Sequence, residues 1–303
     1  MERYKNNGFC EFLKERYLGH EDSSEIRFFD TDKSLLVIAD KRNSDPLCLI
    51  IDDRVEKGKD PGSLSKSEKT YGNECFVIAR QSGLPLFWIR YVDCEILTNE
   101  DFVYLWHSGK GNSTFELVRL KDMITVFSGY GIKAILEKRT PQKRKNDSLS
   151  SAFHLWQREC LRIGIFTDLD LVRKQNGKVV EVIELKRSTQ DFDEWSPYRK
   201  DYNNFAILLN FCHRLGGVDF HIVFNAQMAN LPSGSDPGKF VYYRKIHKKK
   251  KGIYYDKIDR LKLYRVERRG NDPHPVLLGV IRIEDFLDYK RYRAFIGQAV
   301  GTE

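Results

Sequence analysis

Two neighbouring stretches of the chain carry acidic and basic side chains at a spacing that suits metal-assisted phosphate chemistry. The first, TDLDLV, contains Asp168 and Asp170, and the second, VVEVIELK, ends with Glu184 and Lys186. Both stretches are rich in aliphatic residues, and alternate side chains of a strand share a face. We therefore expect Asp168 and Asp170 on one face of a strand running through 167–172. Glu184 and Lys186 are expected on one face of its partner strand.

The pair Asn176-Gly177 between these stretches predicts a tight hairpin, because both residues tolerate the positive φ angles of such a turn. Pairing the strands through that turn gathers two or three carboxylates and one ammonium in a small volume. Such a cluster is costly alone, since like charges repel and burial removes their hydration. Mg²⁺ relieves the repulsion and prefers carboxylate oxygens, water and phosphate oxygens. The chemistry indicated is hydrolysis of a phosphodiester, with Lys186 orienting water or stabilising the pentacovalent phosphate.

The elements that must position these residues can be read on both sides of the hairpin. A helix is predicted from Asp147 or Ser148 to Cys160, with apolar residues spaced three and four apart. Another begins at Asp201, carries an apolar stripe and ends before two glycines, and the buried strand HIVFNA follows. The predicted order is therefore helix, strand, strand, helix, strand.

The text TDLDLVRKQNGKVVEVIELKRS and this order of elements, over about Asp147–Ala226, resemble the PD-(D/E)xK, or restriction-endonuclease-like, superfamily. The resemblance covers about a quarter of the chain. It implies an α/β fold with a mixed central sheet flanked by helices in the C-terminal half. It also implies metal-dependent phosphodiester cleavage, with Mg²⁺ as the cofactor and Mn²⁺ able to substitute.

The resemblance also implies roles for particular residues. Asp170 matches the first acidic metal ligand, with Asp168 as the competing candidate, and Glu184 and Lys186 match the second acid and the lysine. The proline of the family motif is absent, because threonine and leucine precede the two aspartates. Some members add a carboxylate from the preceding helix, for which Glu159 is the available residue; a solvent-facing glutamate is the alternative.

Several basic and polar residues are candidates for contact with nucleic acid. Arg187 and Ser188 follow the second strand and could touch phosphates, although a strand-exit loop is polar in any case. Lys248, Lys249 and Lys250 belong to the basic run YRKIHKKKK, which could follow a nucleic-acid backbone without reading its sequence. The alternative for that run is an exposed hairpin or loop.

The basic segment EKRTPQKRKNDS lacks apolar periodicity, and we place a domain boundary there, between residues 1–138 and 139–303. The first part is predicted to be a separate α/β domain that recognises substrate or partner. Its order of helix and strands repeats that of the second part, and Asp52–Arg54 falls where Glu184–Lys186 would fall. This order is compatible with a degenerate copy of the same fold in which Arg54 replaces the lysine, but another α/β domain would often share such an order.

Composition limits the class of protein. The chain has 303 residues, 41% of them hydrophobic, which is enough to bury a sizeable core. Its 51 lysines and arginines against 43 acidic residues give a net charge of +8, which favours a polyanionic partner. The six scattered cysteines lack zinc-site spacing, and no stretch is apolar enough for a membrane span. We therefore expect reduced thiols, a cytoplasmic location and no membrane partner.

The leading interpretation is a Mg²⁺-dependent endonuclease, with DNA favoured over RNA on the frequency of substrates in the superfamily. Cutting both strands of a duplex usually needs two centres, which makes a homodimer plausible. The first alternative is a non-catalytic nucleic-acid-binding protein that keeps a nuclease-like fold. The second is a scaffolding protein whose carboxylates form only ion pairs across a surface hairpin. Nothing in the sequence chooses among restriction, repair, phage conflict and RNA processing.

Overall fold

A computed structural model of the chain describes residues 7–17, 26–29, 33–109, 114–137, 151–188, 192–226, 243–249, 252–257 and 260–300. The helices and strands of these residues follow one another in this order: α1 (Asn7–Tyr17), β1 (Ile26–Phe28), β2 (Lys33–Ala39), β3 (Pro46–Val55), α2 (Lys66–Ser82), β4 (Leu86–Val92), β5 (Phe102–His107), β6 (Glu116–Arg119), α3 (Met123–Gly129), β7 (Ile135–Leu136), α4 (Ala152–Cys160), β8 (Leu161–Arg162), β9 (Ile165–Leu169), β10 (Leu171–Gln175), β11 (Lys178–Ser188), α5 (Tyr202–Arg214), β12 (Asp219–Ala226), β13 (Tyr243–Lys249), β14 (Gly252–Lys257), β15 (Arg260–Arg269), β16 (Asp272–Arg282), α6 (Ile283–Leu287) and α7 (Tyr289–Val300).

The chain forms two compact units. Unit 1 consists of residues 1–30, 170–212 and 218–303, and unit 2 of residues 31–169 and 213–217. The division therefore differs from the boundary that the sequence placed between residues 138 and 139. It falls instead at residue 170, inside the stretch 167–172 that was expected to form one strand.

That expectation of one strand is wrong. β9 ends at Leu169 and pairs with β2, whereas β10 begins at Leu171 and pairs with β11 and β1. Asp170 is the single residue between them. The run looks continuous in sequence because both strands are aliphatic, but its two halves complete different sheets.

Each unit contains a six-stranded mixed sheet flanked by helices, so the mixed α/β architecture expected for the C-terminal half is present in both. The strand order is β6-β5-β4-β3-β2-β9 in unit 2 and β1-β10-β11-β12-β15-β16 in unit 1. The central pairs, β3 with β4 and β11 with β12, are parallel, and every other pair in these two sheets is antiparallel. Short ladders join β7 to β8 and β13 to β14.

The strands of the two sheets are connected in the same order. An antiparallel hairpin leads through a crossover helix to a parallel strand, and two further antiparallel strands follow. A helix and an edge strand complete each unit: α1 and β1 in unit 1, α4 and β9 in unit 2. In the chain, each of these helix–strand pairs precedes the hairpin of the other unit. Each unit therefore takes its first helix and edge strand from the opposite half of the chain.

Local signals explain how the central elements begin and end. Asn176 and Gly177 have φ angles of 52° and 75°, which confirms the predicted tight turn between β10 and β11. Ser65 and Glu68 form a capping box at the start of α2, and Gly83 ends that helix in the left-handed conformation. These caps satisfy backbone groups that a helix end otherwise leaves without hydrogen bonds.

The apolar core of unit 2 lies between its sheet and the helices α3 and α4. It is built from alternate residues of the central strands, such as Ile50 and Ile89, and from Phe153 and Trp156 of α4. In unit 1, α5 packs its apolar stripe on the sheet, with the ring of Phe205 6.1 Å from that of Phe220. Among the described residues, no helix combines the length and the apolar character needed to cross a membrane.

Candidate functional site

Asp170 lies where the chain enters unit 1, immediately before β10. Leu171 pairs with Ile183 across the hairpin, which brings Asp170 level with Glu184 on the neighbouring strand. The backbone N–H of Leu185 donates a hydrogen bond of 2.6 Å to Oδ2 of Asp170. The half-buried carboxylate is therefore held against the end of β11 by the backbone itself.

Glu184 and Lys186 share a face of β11, as the sequence predicted. Lys186 Nζ donates to Glu184 Oε1 at 2.6 Å, and the two side chains are 16% and 5% exposed, respectively. Nζ also lies 5.8 Å from the centre of the Phe205 ring, so this face of β11 is the one that α5 covers. The pair is thus a largely buried ion pair within one strand, and not the surface ladder across a hairpin considered as an alternative.

The charge of Lys186 is set by three carboxylates. Burial alone lowers the pKa of this lysine, but Glu184, Asp170 and Asp201 outweigh it and raise the pKa above its usual value. Lys186 therefore remains an ammonium at neutral and moderately alkaline pH. It can donate hydrogen bonds to an anion, but it cannot take a proton from water under those conditions.

Asp201 is a residue that the sequence reasoning missed in this role. It ends a short 3₁₀ turn, Arg199–Asp201, directly before α5, and its carboxylate acts on Lys186. In the sequence it was interpreted only as the residue that begins the helix. One signal in the sequence could have indicated this role. Asp201 lies at the start of the crossover helix that follows the candidate strand, and the start of such a helix lies near the end of that strand.

Two predicted metal ligands belong to unit 2 and not to the unit that holds Asp170 and Glu184. Asp168 lies in β9 opposite Leu36 and is exposed, so it does not share a strand face with Asp170 as expected. The cause is the change of sheet at residue 170. Glu159 lies in α4, which packs in unit 2; the helix at the matching place in unit 1 is α1, from the start of the chain.

For the residues predicted to contact nucleic acid, the structure describes the backbone of four but none of the side chains. The backbones of Arg187 and Ser188 form the end of β11, and those of Lys248 and Lys249 form the end of β13. The side chains of these four residues, and Lys250 as a whole, lie outside the described residues. The basic run does form one strand of a hairpin, since β13 pairs with β14.

The donor set of the candidate centre can be tested against the implied metal. Within the described part of the chain, no group of three or more His, Cys, Asp or Glu residues is gathered to hold an ion. Asp170 and Glu184 supply two carboxylates. Mg²⁺ commonly takes one or two protein carboxylates and completes its coordination with water and phosphate oxygens. The residues therefore fit a Mg²⁺ ion that is shared with a phosphate, and they do not fit an ion enclosed by protein alone.

A second charged cluster in unit 1 involves Glu181, at the other end of β11. Arg173 Nε lies 3.1 Å from Glu181 Oε2, and the Tyr292 hydroxyl and His221 Nδ1 both contact Oε1. Burial raises the pKa of Glu181, but His221 and Arg173 outweigh it and lower the pKa below its usual value. All four side chains are buried, and Tyr292 ties α7 to the sheet. The cluster thus holds elements together and offers no open position for a substrate.

Comparisons with protein-family models, with curated proteins and with solved structures find no match for this chain. The features of the chain that point to a function are therefore the geometry of the Asp170, Glu184 and Lys186 cluster and the local resemblance in the sequence around it.

Proposed function

We propose that the chain is a Mg²⁺-dependent nuclease whose centre is formed by Asp170, Glu184 and Lys186, named here the Glu184 centre. One observation carries the proposal: two carboxylates and a largely buried ammonium meet where β10 begins and β11 ends, beside the start of α5. The resemblance of the same stretch to the restriction-endonuclease-like superfamily supports this function. The mixed sheet with a crossover helix is compatible with that fold.

Each residue of the centre has a role that follows from its contacts. Asp170 and Glu184 would hold the cation, and the hydrogen bond from the Leu185 N–H fixes the orientation of the Asp170 carboxylate. When bound, Mg²⁺ supplies a positive charge at the phosphodiester and favours ionisation of a water. Lys186 donates to the phosphate as charge develops in the transition state, and its burial beside Phe205 strengthens that interaction.

The substrate that we propose is nucleic acid, with DNA preferred to RNA, and Mn²⁺ is expected to replace Mg²⁺. The net charge of +8 supports a polyanionic substrate. A homodimer would bring two centres to the two strands of a duplex. We propose the cytoplasm as the compartment, because all six cysteines are present as thiols, four of them buried.

A non-catalytic nucleic-acid-binding protein is the second candidate. It is favoured by the absence, among the residues that the structure describes, of a third acidic ligand beside Asp170 and Glu184. Such a protein would bind nucleic acid with a strong dependence on salt, and Mg²⁺ would not start turnover.

One experiment separates the two candidates. Labelled duplex DNA, single-stranded DNA and RNA are incubated with the protein in Mg²⁺, Mn²⁺ or EDTA, beside Glu184→Ala and Lys186→Ala. The nuclease proposal predicts cleavage that needs the cation and is lost in both variants. Cleavage that persists through chelation and both substitutions contradicts the Glu184 centre. Retained binding without cleavage by the wild-type protein supports the second candidate.

A further inference from the structure

β3 of unit 2 has the same place in its sheet as β11 has in unit 1. Each strand pairs antiparallel with the preceding strand of a hairpin, and parallel with a strand reached through a crossover helix. The Trp88 ring of β4 packs so closely on Gly72 of α2 that a side chain there has no room. Trp88 therefore lies on the face of the sheet that α2 covers. Trp88 Nε1 donates to Asp53 Oδ2 at 3.0 Å, so Asp53 lies on this helix-covered face.

Asp53 is therefore the counterpart of Glu184, which lies on the face that α5 covers. The sequence alone aligned Asp52–Arg54 with Glu184–Lys186, which matches Asp52 with Glu184. That alignment is shifted by one residue from the one that the strand faces give. Asp52 faces the other way: it accepts a hydrogen bond of 3.0 Å from the Tyr91 hydroxyl. The spacing of charged residues does not show which face of a strand a helix covers. The structure shows that face, and it matches Asp53 with Glu184.

The residue across the hairpin from Asp53 is Lys33, at the position that Asp170 occupies relative to Glu184. Lys33 Nζ lies 3.7 Å from Asp53 Oδ1 and 2.8 Å from Glu68 Oε1. Arg90 donates from Nε to Asp53 Oδ2 at 2.7 Å and from Nη2 to Glu68 Oε1 at 2.6 Å. A cation of the chain thus stands where the candidate centre has a carboxylate.

These four residues, Lys33, Asp53, Glu68 and Arg90, are named the Asp53 cluster. Its two carboxylates are balanced by two cations, and Asp53 and Arg90 are essentially inaccessible, at 0% and 1% exposure. In unit 1, by contrast, the matching positions hold two carboxylates, Asp170 and Glu184, beside the one ammonium of Lys186, an excess of carboxylates among these three groups.

The cavity beside the Asp53 cluster has no such excess of charge. It has a volume of about 260 Å³, and its lining contains three basic and three acidic side chains. These are Lys33, Arg54, Glu56, Lys59, Glu68 and Asp93. The formal charges of this lining therefore sum to zero, with no excess of carboxylates to balance a divalent cation.

We propose that unit 2 is a copy of unit 1 in which the metal site has been replaced by the ion pairs of the Asp53 cluster, so that each chain has a single cleaving centre. This inference rests on the proposed function of unit 1. The Asp53 cluster then serves the stability of unit 2, because the cations Lys33 and Arg90 hold its carboxylates in place of a metal ion. A single chain would nick one strand of a duplex, and cutting both strands would require a second chain or a second binding event.

The test measures Mn²⁺ binding and thermal unfolding for wild type, Glu184→Gln and Asp53→Asn. Glu184→Gln is expected to weaken Mn²⁺ binding by about tenfold or more, whereas Asp53→Asn changes it by less than about twofold. Asp53→Asn is expected to lower Tm by about 5 °C or more, because it leaves Arg90 buried without balanced charge. Glu184→Gln also removes a carboxylate from a buried ion pair, but Asp170 and Asp201 remain near the Lys186 ammonium, so it is expected to lower Tm by less than Asp53→Asn does.

If Asp53→Asn does not fold, the milder variant Glu68→Gln replaces it, because Glu68 is partly exposed. Glu68→Gln is also expected to leave Mn²⁺ binding unchanged. Weakened Mn²⁺ binding in a folded Asp53→Asn or Glu68→Gln protein overturns the inference. If wild type binds no Mn²⁺, the proposed nuclease function fails, and the inference that rests on it fails as well. If wild type binds Mn²⁺, equal losses of Tm in Asp53→Asn and Glu184→Gln would contradict the inference alone.

Discussion

Two aspartates only two residues apart have different surroundings. Asp170 is fixed by the Leu185 N–H beside Glu184, whereas Asp168 is exposed on a strand of the other unit's sheet. Sequence spacing alone left both as candidates for the first metal ligand. Their backbone environment distinguishes them, because only Asp170 adjoins the strand that carries Glu184.

This difference predicts unequal effects of one chemical change. Asp170→Asn keeps the size of the side chain but removes a charge that the Glu184 centre needs, so we expect cleavage to fall by about 10²-fold or more. Asp168→Asn is expected to keep the rate within about threefold. Single-turnover cleavage in Mg²⁺ measures both. A greater loss in Asp168→Asn would assign the ligand to Asp168 instead.

Asp52 provides a prediction about pH. Burial raises the pKa of its carboxyl to about 6, although hydrogen bonds from Ser151 and Tyr91 oppose the rise. A carboxyl whose pKa is higher in the folded than in the unfolded chain stabilises the fold below its ordinary pKa of 3.8, and that stabilisation is lost as pH rises through 6. The loss amounts to about 3 kcal/mol for an uncoupled group.

Asp52→Asn cannot ionise, so it should remove this dependence. Relative to wild type, the free energy of unfolding of the variant is expected to improve by about 2.5 kcal/mol between pH 4 and pH 7, because wild type has already lost part of the stabilisation at pH 4. Denaturant titrations at several pH values measure the difference. Parallel pH profiles for the two proteins would show that Asp52 ionises normally in the folded chain.

At the scale of elements, the close contact between α2 and β4 depends on a glycine. A Cβ built at Gly72 would lie 2.1 Å from Trp88 Cζ3, inside the contact distance of the two atoms. The indole is fixed by its hydrogen bond to Asp53 and cannot move aside easily. The fit of helix on sheet in unit 2 therefore has no space for a larger residue.

Gly72→Ala is expected to lower the free energy of unfolding by about 1–3 kcal/mol, because the added methyl overpacks the contact. Gly297→Ala is the matched control, since this α7 glycine has open space where its Cβ would lie. Alanine there should raise stability by about 0.5–1 kcal/mol through its better helix propensity. Chemical unfolding of both variants checks the opposite signs, and a stable Gly72→Ala protein would contradict the packing.

The elements that could be predicted are those with local signals. The Asn176-Gly177 turn fixes one hairpin, and the apolar stripe between Asp201 and the double glycine fixes α5. The continuous strand through 167–172 was wrong because its halves differ only in distant partners, β2 and β11. The start of α7 gives no comparable local signal, because its charged YKRYR sequence conceals the apolar side of the helix.

In the candidate site, too, the features with local sequence signals were predicted and those set by distant partners were not. Glu184 and Lys186 were predicted to share a strand face because the period of a strand is local. Asp201 was not placed with them, because its approach depends on how α5 crosses between β11 and β12. Glu159 was assigned to the wrong unit for a similar reason: α4 packs with strands more than a hundred residues earlier in the chain.

At the scale of the whole molecule, the chain contains two sheets built by the same order of pairings, with their first helix and edge strand exchanged. The two halves therefore match in the order of their strand pairings. The two halves differ in charge at matching positions, with Lys33 opposite Asp53 in one and Asp170 level with Glu184 in the other. Function is therefore expected to be unequal between them.

The net charge of +8 predicts that nucleic-acid binding weakens steeply with salt. Replacing Lys248, Lys249 and Lys250 with alanine should make the slope of log K against log salt less negative by about 0.9 for each phosphate that is no longer neutralised. Fluorescence anisotropy of a labelled duplex at several salt concentrations measures the slope. An unchanged slope would exclude the basic hairpin from the binding surface.

A control of equal charge loss uses Lys66, Lys69 and Lys133, which are exposed on unit 2. Their replacement by alanine removes three positive charges from the same protein without touching the hairpin. We expect a smaller change in slope than the hairpin variant gives. Equal changes would indicate that net charge, and not the hairpin, determines binding.

The most direct test of the Glu184 centre is the rate of duplex DNA cleavage at saturating Mg²⁺ by Glu184→Gln, with Asp52→Asn as control. Both changes neutralise a buried carboxyl on matching strands, but only the first lies in the proposed centre. We expect Glu184→Gln to cleave about 10³-fold more slowly and Asp52→Asn to remain within about threefold of wild type. Cleavage by Glu184→Gln at the wild-type rate, with its fold intact, would contradict the centre.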